Sequence, residues 1–581
     1  MSRQRENVGP ARAALLARRS DFMSVGVFSA AVNLLTLTGS FYMLEVYDRV
    51  LVSHKVETLI VLSLVALVAF ALQGGLDLLR ARMLSRIGAR IDVQLSPGAM
   101  TAATVLPLKG AGAGEALQPS RDVEQFRTFL SSAGPTAFFD MPFMPIFLIG
   151  CFLLHPWLGV LAAAGGATII AMTLVTERLV GPRARDASQA ALLRQVYVDA
   201  GRRHAEVIAS MGMGPAVAQR WERLAEEARA GLLSVSDAQG DLGSFARILR
   251  IVLQSAILGL GAYLAIEGQV SGGAMIAASI MSSRALAPIE QAIAHWRGFA
   301  AARQAYQRLN ALPVLAESRH VDLPAPAQGL SVEGATLAVP GRALPIIIDA
   351  NFELKAGSAL AIIEPSGSGK STLARALVGV LPPARGSVRL DGAALDQWDR
   401  AALGRHLGYM PQDLQLLDGT VAETISRFDV DAKSEDVIAA AEAAGAHELI
   451  VSLPQGYETR IGEGGAVLSA GQRQRLGLAR ALYGSPFLVV LDEPNSNLDA
   501  PGEEALARAI TSIRARGGLA VLVTHRPSAL QAVDKVALVM EGRIKLFGPR
   551  DEVMRAINEQ GGASPRPARP VAVPQAGSAT P

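Results

Sequence analysis

The residues equipped for chemistry lie in the carboxyl-terminal half of the chain. An apolar stretch, Ala359-Leu360-Ala361-Ile362-Ile363, runs into Glu364-Pro365-Ser366-Gly367-Ser368-Gly369-Lys370-Ser371-Thr372 and then into the helix-like Leu373-Ala374-Arg375-Ala376-Leu377. A strand, a glycine-rich turn and a helix start are what a phosphate-binding loop requires. Backbone N–H groups and the helix N-terminus face the phosphates, Lys370 reaches the β and γ oxygens, and the Ser371 hydroxyl binds Mg²⁺. The pattern G-x-x-x-x-G-K-[ST] is broken at its first position, where Glu364 stands. A second apolar stretch, Leu488-Val489-Val490-Leu491, delivers Asp492 and Glu493 at its carboxyl end, where ligands gather in open parallel sheets. Asp492 is suited to hold Mg²⁺ through water, and Glu493 to orient an attacking water. Between them, Leu468-Ser469-Ala470-Gly471-Gln472 opens a helix over 473–483, a second anion-binding N-terminus. Further on, Val521-Leu522-Val523-Thr524 ends in His525. Each feature alone has a plain structural reading: a capping serine, a solvated carboxylate pair, a core histidine. The ordered set argues against that reading.

Strand and helix patterns alternate from about 329 to 560, which predicts an α/β domain to hold these residues. The preceding half is of another kind. Half of the 581 residues are hydrophobic, 18% are charged and the mean hydropathy is +0.29. That combination excludes wholesale disorder and argues against a fully soluble protein. Uncharged runs cover 22–44, 58–76 and 141–176, the last broken at His155-Pro156-Trp157, where a helix must interrupt. Two shorter runs, 251–266 and 268–283, bring the expected count to six membrane spans.

Arginines gather after the second span (Arg80, Arg82, Arg86, Arg90) and after the fourth (Arg178, Arg183, Arg185, Arg194, Arg202, Arg203). The positive-inside rule therefore places both termini and the loops 77–140 and 177–246 in the cytoplasm, the loops as continuations of the spanning helices. Arg284 and Glu290 near the end of the sixth span read as a snorkelling arginine and a local ion pair. The expected organisation is a short segment 1–21, a membrane domain 22–302, a linker 303–328, an α/β domain 329–560 and a disordered tail 561–581. A net charge of +3 is too balanced for a nucleic-acid binder, and one cysteine, Cys151, excludes disulfide scaffolds and thiolate metal clusters.

The motif set resembles the nucleotide-binding domain of an ATP-binding-cassette transporter. The resemblance implies a six-helix α transmembrane domain of the ABC exporter type fused to an α/β P-loop nucleotide-binding domain. It assigns ATP binding to Pro365, Ser366, Gly367, Ser368, Gly369, Lys370, Ser371 and Thr372, and to Ser469, Ala470, Gly471, Gln472 and Asp499. It assigns Mg²⁺ to Ser371, Gln412 and Asp492, and catalysis to Glu493, Gln412 and His525. Gln412 would sense the metal and couple to the membrane domain, 496–499 would form the D-loop, and His525 would contact the γ-phosphate. Ser469 and Gly471 would complete the site of the opposite subunit of a homodimer that sandwiches two ATP molecules. Three positions depart from the family pattern: Glu364, Ala470 in place of a signature glycine, and Val339-Pro340 where an adenine-stacking aromatic is common.

The membrane half, through 42–51, 140–142, 154–159, 273–279 and 284–288, resembles permease/ATPase subunits of type I secretion systems. It is most similar to the protease- and lipase-exporting branch, which lacks an N-terminal peptidase-like domain. That resemblance implies a Gram-negative inner-membrane location and work with a membrane-fusion protein and an outer-membrane channel. The cargo would be an unfolded polypeptide with a C-terminal signal. An exporter of lipids, drugs or short peptides, and a nucleotide-binding scaffold that does not hydrolyse, are the rival expectations.

Overall fold

The computed structural model describes residues 9–312, 323–340, 342, 344–363, 369–524 and 526–561. Most of the expected linker and nearly all of the expected tail lie outside them. The chain divides into two units, 1–317 and 318–581.

Among the described residues, all regular structure in the first unit is helical. Helices Arg19–Thr36 and Thr38–Glu45 continue through a π turn, Val46–Val50, to Ser53. A left-handed residue, His54 (φ 55°), then starts the return into Val56–Val105. At 1.5 Å per residue these 50 residues extend about 75 Å, well over twice the roughly 30 Å hydrocarbon layer. Helices Met144–Leu154 and Pro156–Arg203 break at the expected place. His155 is extended, and its Nδ1 accepts the Trp157 N–H at 3.3 Å, capping the second helix. Gly214–Ile266, 53 residues long, supplies the length that the run 251–266 lacks by itself. Of the loops expected to continue as helices, 177–246 does so apart from the short helix Ala205–Ser210, whereas 77–140 continues only to Val105 and resumes as separate helices Ala113–Leu130 and Gly134–Asp140.

Among the described residues, four helical stretches are long and apolar enough to cross a membrane: Arg19–Ser53, Val56–Lys109, Gly134–Leu154 and Gly214–Ile266. Pro156–Met172 is a shorter apolar helix. The third span begins earlier than the sequence run, because Gly134–Asp140 and a 3₁₀ turn, Met141–Phe143, lead straight into it. The sixth run falls in Gly272–Ala294, rich in alanine, serine and glycine, with Ala277, Ala278, Ala285 and Leu286 buried. It packs inside the bundle, so small residues take the place of the large apolar ones that mark a lipid-facing helix. Asp48 holds its start, accepting the Gly273 N–H at 2.9 Å and the Ser271 hydroxyl at 2.5 Å. Glu290 pairs with Arg250 at 2.7 Å, whereas Arg284 is exposed. Arg80, 6% exposed, reaches Asp140 at 2.6 Å and the Ser29 hydroxyl at 3.1 Å, joining three helices, and pairs with Asp77 on its own helix at 2.7 Å.

Helix Trp296–Ala311 buries Ala302, Ala305 and Leu309 in the core of this unit. A linker beginning at 303 is therefore corrected: the apolar stripe at three- and four-residue spacing keeps the chain helical to 311. The segment 1–21 is likewise not separate from the membrane unit, since helix Pro10–Ala17 buries Ala11 and Ala14 in the same core.

The second unit has two sheets. Strands β1 (Gly329–Leu337), β2 (Ile347–Lys355), β4 (Arg385–Leu390) and β5 (Ala393–Ala394) form an antiparallel sheet in the order β2-β1-β4-β5. Strands β3 (Ala359–Ile363), β6 (Leu407–Met410), β7 (Leu488–Asp492), β8 (Leu519–Val523), β9 (Lys535–Met540) and β10 (Arg543–Pro549) form the other, in the order β10-β9-β3-β8-β7-β6. All its pairings are parallel except β9 with β10. Every residue of β7 and β8 is buried, as expected of central parallel strands covered on both faces. The carboxyl ends of β3, β7 and β8 thus lie side by side.

Candidate functional site

The loops that follow β3, β6 and β7 bring the candidate residues together. After β3, residues 364–368 (Glu364, Pro365, Ser366, Gly367 and Ser368) lie outside the described residues. Gly369 follows at φ 113°, where a Cβ would stand 2.6 Å from Ile346 Cγ2, so only glycine fits. Lys370, Ser371 and Thr372 then open helix Lys370–Leu377. After β6, Gln412 extends across. The Ser371 hydroxyl donates to Gln412 Oε1 at 3.4 Å, and Gln412 Nε2 donates to Glu493 Oε2 at 3.2 Å. Asp492, the last residue of β7, is 2% exposed. The structure therefore gathers Ser371, Gln412, Asp492 and Glu493 from three separate sequence regions. His525, at the end of β8, lies outside the described residues.

Burial pushes the Asp492 carboxyl above the ordinary range, a hydrogen bond from Ser371 pulls it back, and the Glu493 charge pushes it up again. Asp492 Oδ1 is buried without a hydrogen-bond partner. A buried carboxylate oxygen with nothing to bond costs free energy unless a ligand completes it. With the Ser371 hydroxyl and the Gln412 amide oxygen it forms a set of hard oxygen donors, the chemistry Mg²⁺ takes.

Glu493 occupies the left-handed region, φ 51°, a conformation that costs of order 1–3 kcal/mol in a residue with a side chain. Its N–H donates to Val523 O at 2.9 Å, which turns the backbone out of β7 so that the carboxylate meets Gln412.

The 468–472 turn is separate. The Ser469 hydroxyl accepts the Gln472 N–H at 3.3 Å, and Gln472 Oε1 accepts the Ser469 N–H at 2.8 Å, a capping box at the start of helix Ala470–Leu482. Ala470 is helical and has no positive φ, so the missing signature glycine puts no strain on the backbone. Gly471 is the closely approached position: a Cβ there would stand 3.0 Å from Asn497 O. Asp499 caps helix Ala500–Ala515 through the Gly502 N–H at 3.1 Å and pairs with Arg475, which holds its carboxyl below the usual range. Val339 packs partly buried against the core of the second unit.

Two side chains that bind this region escaped sequence reasoning. Gln474, one turn into the 470–482 helix, donates to Pro494 O, Ser496 Oγ and Glu493 O. Arg526 bonds Ser496 O at 3.3 Å from the side of β8. Their only signal was adjacency to a motif.

A helical membrane unit joined to a two-sheet unit with a phosphate-loop helix and paired carboxylates at adjacent strand ends defines an ATP-driven membrane transporter. Residues 22–286 match the ABC transporter transmembrane region, and 347–496 match the ABC transporter domain. The chain is 51% identical over 552 residues to the type I secretion system ATP-binding protein PrsD of Rhizobium meliloti (strain 1021), 94% of each. It is 27% identical to the leukotoxin translocation ATP-binding protein LktB of Mannheimia haemolytica, covering 94% of this chain and 78% of that one. The exotoxin translocation ATP-binding protein PaxB of Pasteurella aerogenes is also 27% identical, over 93% of this chain and 77% of that one. A solved bacterial Atm1-family ABC exporter with ATP bound shares the fold at a TM-score of 0.81 and 20% identity, with 95% of this chain and 99% of that one covered. The chain belongs to the ABC exporters, in the family of the type I secretion ATP-binding proteins. It is a multi-pass membrane protein whose ATPase is coupled to transport.

Proposed function

We propose that this protein is the inner-membrane ATPase and permease of a type I secretion machine, exporting an unfolded polypeptide together with a membrane-fusion protein and an outer-membrane channel. The gathering of Ser371, Gln412, Asp492 and Glu493 at the strand ends carries the enzymatic half of this reading. The similarity to PrsD, a type I secretion ATP-binding protein, carries the choice of cargo class.

In this mechanism Lys370 and the loop before it would bind the triphosphate, and Ser371, Gln412 and Asp492 would hold Mg²⁺, which would neutralise charge on the phosphates. Glu493 orients and deprotonates the attacking water, and Gln412, bonded to it, reports the state of the site. His525 contacts the γ-phosphate. The Ser469-Ala470-Gly471-Gln472 turn, exposed at Ser469 and Ala470, completes the site of a second copy, with Asp499 beside it. Binding closes the dimer and hydrolysis reopens it, driving six spans per chain between two arrangements. Both termini and the second unit are cytoplasmic, following the arginine distribution.

The test is partner dependence. With the fusion protein and channel co-expressed, a cargo carrying a C-terminal signal should reach the medium. Deleting the fusion protein should abolish export and leave basal ATPase activity nearly unchanged. Export that continues without it would overturn the secretion reading.

A further inference from the structure

Gln474 is 5% exposed, and its amide is committed in full. Nε2 lies 2.6 Å from Pro494 O, 3.1 Å from Ser496 Oγ and 3.2 Å from Glu493 O, while Oε1 accepts the Asn497 N–H at 2.8 Å. Two N–H bonds serve three acceptors, so the group sits where any displacement of the loop breaks a bond. The loop it grips starts at Glu493, whose left-handed backbone must be held by its surroundings. The Glu493 N–H is fixed to Val523 O, and its carbonyl is fixed by Gln474. The two bonds together set the direction in which the carboxylate leaves the chain.

Gln474 also belongs to the helix whose first turn is Ala470-Gly471-Gln472. Two residues separate Gln472 from Gln474, about 3 Å of rise along one rigid helix, and helical side chains lean back toward the N-terminus. A tilt of the signature turn is therefore a displacement of the Gln474 amide.

We propose that Gln474 is a positioning residue that transmits the engagement of the signature turn with one nucleotide to the Glu493 of the other site. The proposal rests on the homodimer reading, in which the signature turn meets the partner's ATP while Glu493 serves this chain's own. Gln474 touches no substrate; it acts through the Glu493 and Pro494 carbonyls and the Asn497 N–H.

The experiment uses the full-length protein in lipid nanodiscs, with Gln474→Met, of similar length but without amide hydrogen bonding, and Gln474→Glu, which keeps the acceptor and removes the donors. Steady-state ATPase, equilibrium binding of a fluorescent ATP analogue and melting temperature are read for each. The wild type should hydrolyse with a Hill coefficient above 1. Gln474→Met should lose at least tenfold in kcat, keep nucleotide Kd within twofold, and bring the Hill coefficient to about 1. Gln474→Glu should match that loss at pH 8 and recover part of it at pH 6, where a protonated carboxyl regains an O–H donor for the carbonyls. Three results overturn the proposal: wild-type kcat and cooperativity in both variants, loss of nucleotide affinity and melting temperature in step with kcat, or a Gln474→Glu defect that ignores pH. If Gln474→Met does not fold, the pH response of Gln474→Glu decides alone. Glu493→Gln, assayed in parallel, keeps the two readings apart: an active Glu493→Gln protein sinks the assignment of the base, whereas an inactive one beside wild-type-like Gln474 variants sinks only the link.

Discussion

At the scale of single residues, the two adjacent carboxylates at the end of β7 have opposite needs. Glu493 must be charged and reachable to take a proton, so Glu493→Gln, which keeps shape and loses basicity, should lower turnover by about 10²–10⁴ while leaving ATP binding intact. A phosphate-release assay with trapped-nucleotide measurement checks it. Asp492 is buried with an unpartnered oxygen, and burial raises its carboxyl above the ordinary range. A raised folded-state value means that ionisation opposes folding. The cost is present in full at neutral pH and above, and disappears as pH falls below the ordinary carboxylate range. Without Mg²⁺ and nucleotide, Asp492→Asn should therefore melt higher than the wild type at pH 8, with the gap closing toward pH 4, even as it loses Mg²⁺-dependent hydrolysis. Equal melting curves at pH 8 would contradict it. The convergence of Ser371, Asp492 and Glu493 was readable because a helix start after a glycine-rich turn and a strand-end carboxylate pair are each local in sequence. Gln474 was not, because its partners lie 19–23 residues away and a glutamine one turn into a helix reads as solvated.

At the scale of elements, Arg427 shows what holds the end of the signature helix. Its five guanidinium N–H bonds reach five backbone carbonyls: Arg480 and Ala481 in the last turn, Tyr483 just beyond, and Gly404 and Leu407 at the entry to β6. The closing turn of a helix leaves its carbonyls unmatched, and a cation there also opposes the helix dipole. Lysine offers three donors at one point, so Arg427→Lys leaves at least two carbonyls bare. About 2 kcal/mol or more should be lost, roughly 4–8 °C in the melting of the second unit. A shift under 1 °C would show that water replaces the guanidinium. Elements were legible where burial is uniform: β3, β8 and β7 as far as Leu491 are unbroken apolar runs because both faces are covered. They were harder to read where packing uses small side chains. Gly272–Ala294 is a deeply buried helix whose alanines dilute its hydropathy, and Trp296–Ala311 hides its apolar stripe among arginines and glutamines.

At the scale of the whole molecule, the proposed six-span arrangement predicts sidedness. In a background without Cys151, cysteines at Val52 and Gly268 should react with an impermeant maleimide from the periplasm, and one at Ser234 should not. Labelling at Ser234 from outside would overturn the topology. Helices Pro156–Arg203 and Gly214–Ile266 run side by side and meet at their distal ends through the short helix Ala205–Ser210. If, as proposed, about 30 Å of each lies in the membrane, roughly 40–50 Å projects beyond it as a paired arm. Such an arm is a lever. A push of about 2 Å at its tip is a rotation of only some 2–3° at the membrane, small enough for packed side chains to follow without leaving their rotamer wells. Gearing of that kind favours transmission by tilt over transmission by local unfolding, and it makes stiffness along the arm, rather than chemistry at its tip, the property that a helix break added to the Pro182 and Gly231 already present would spoil.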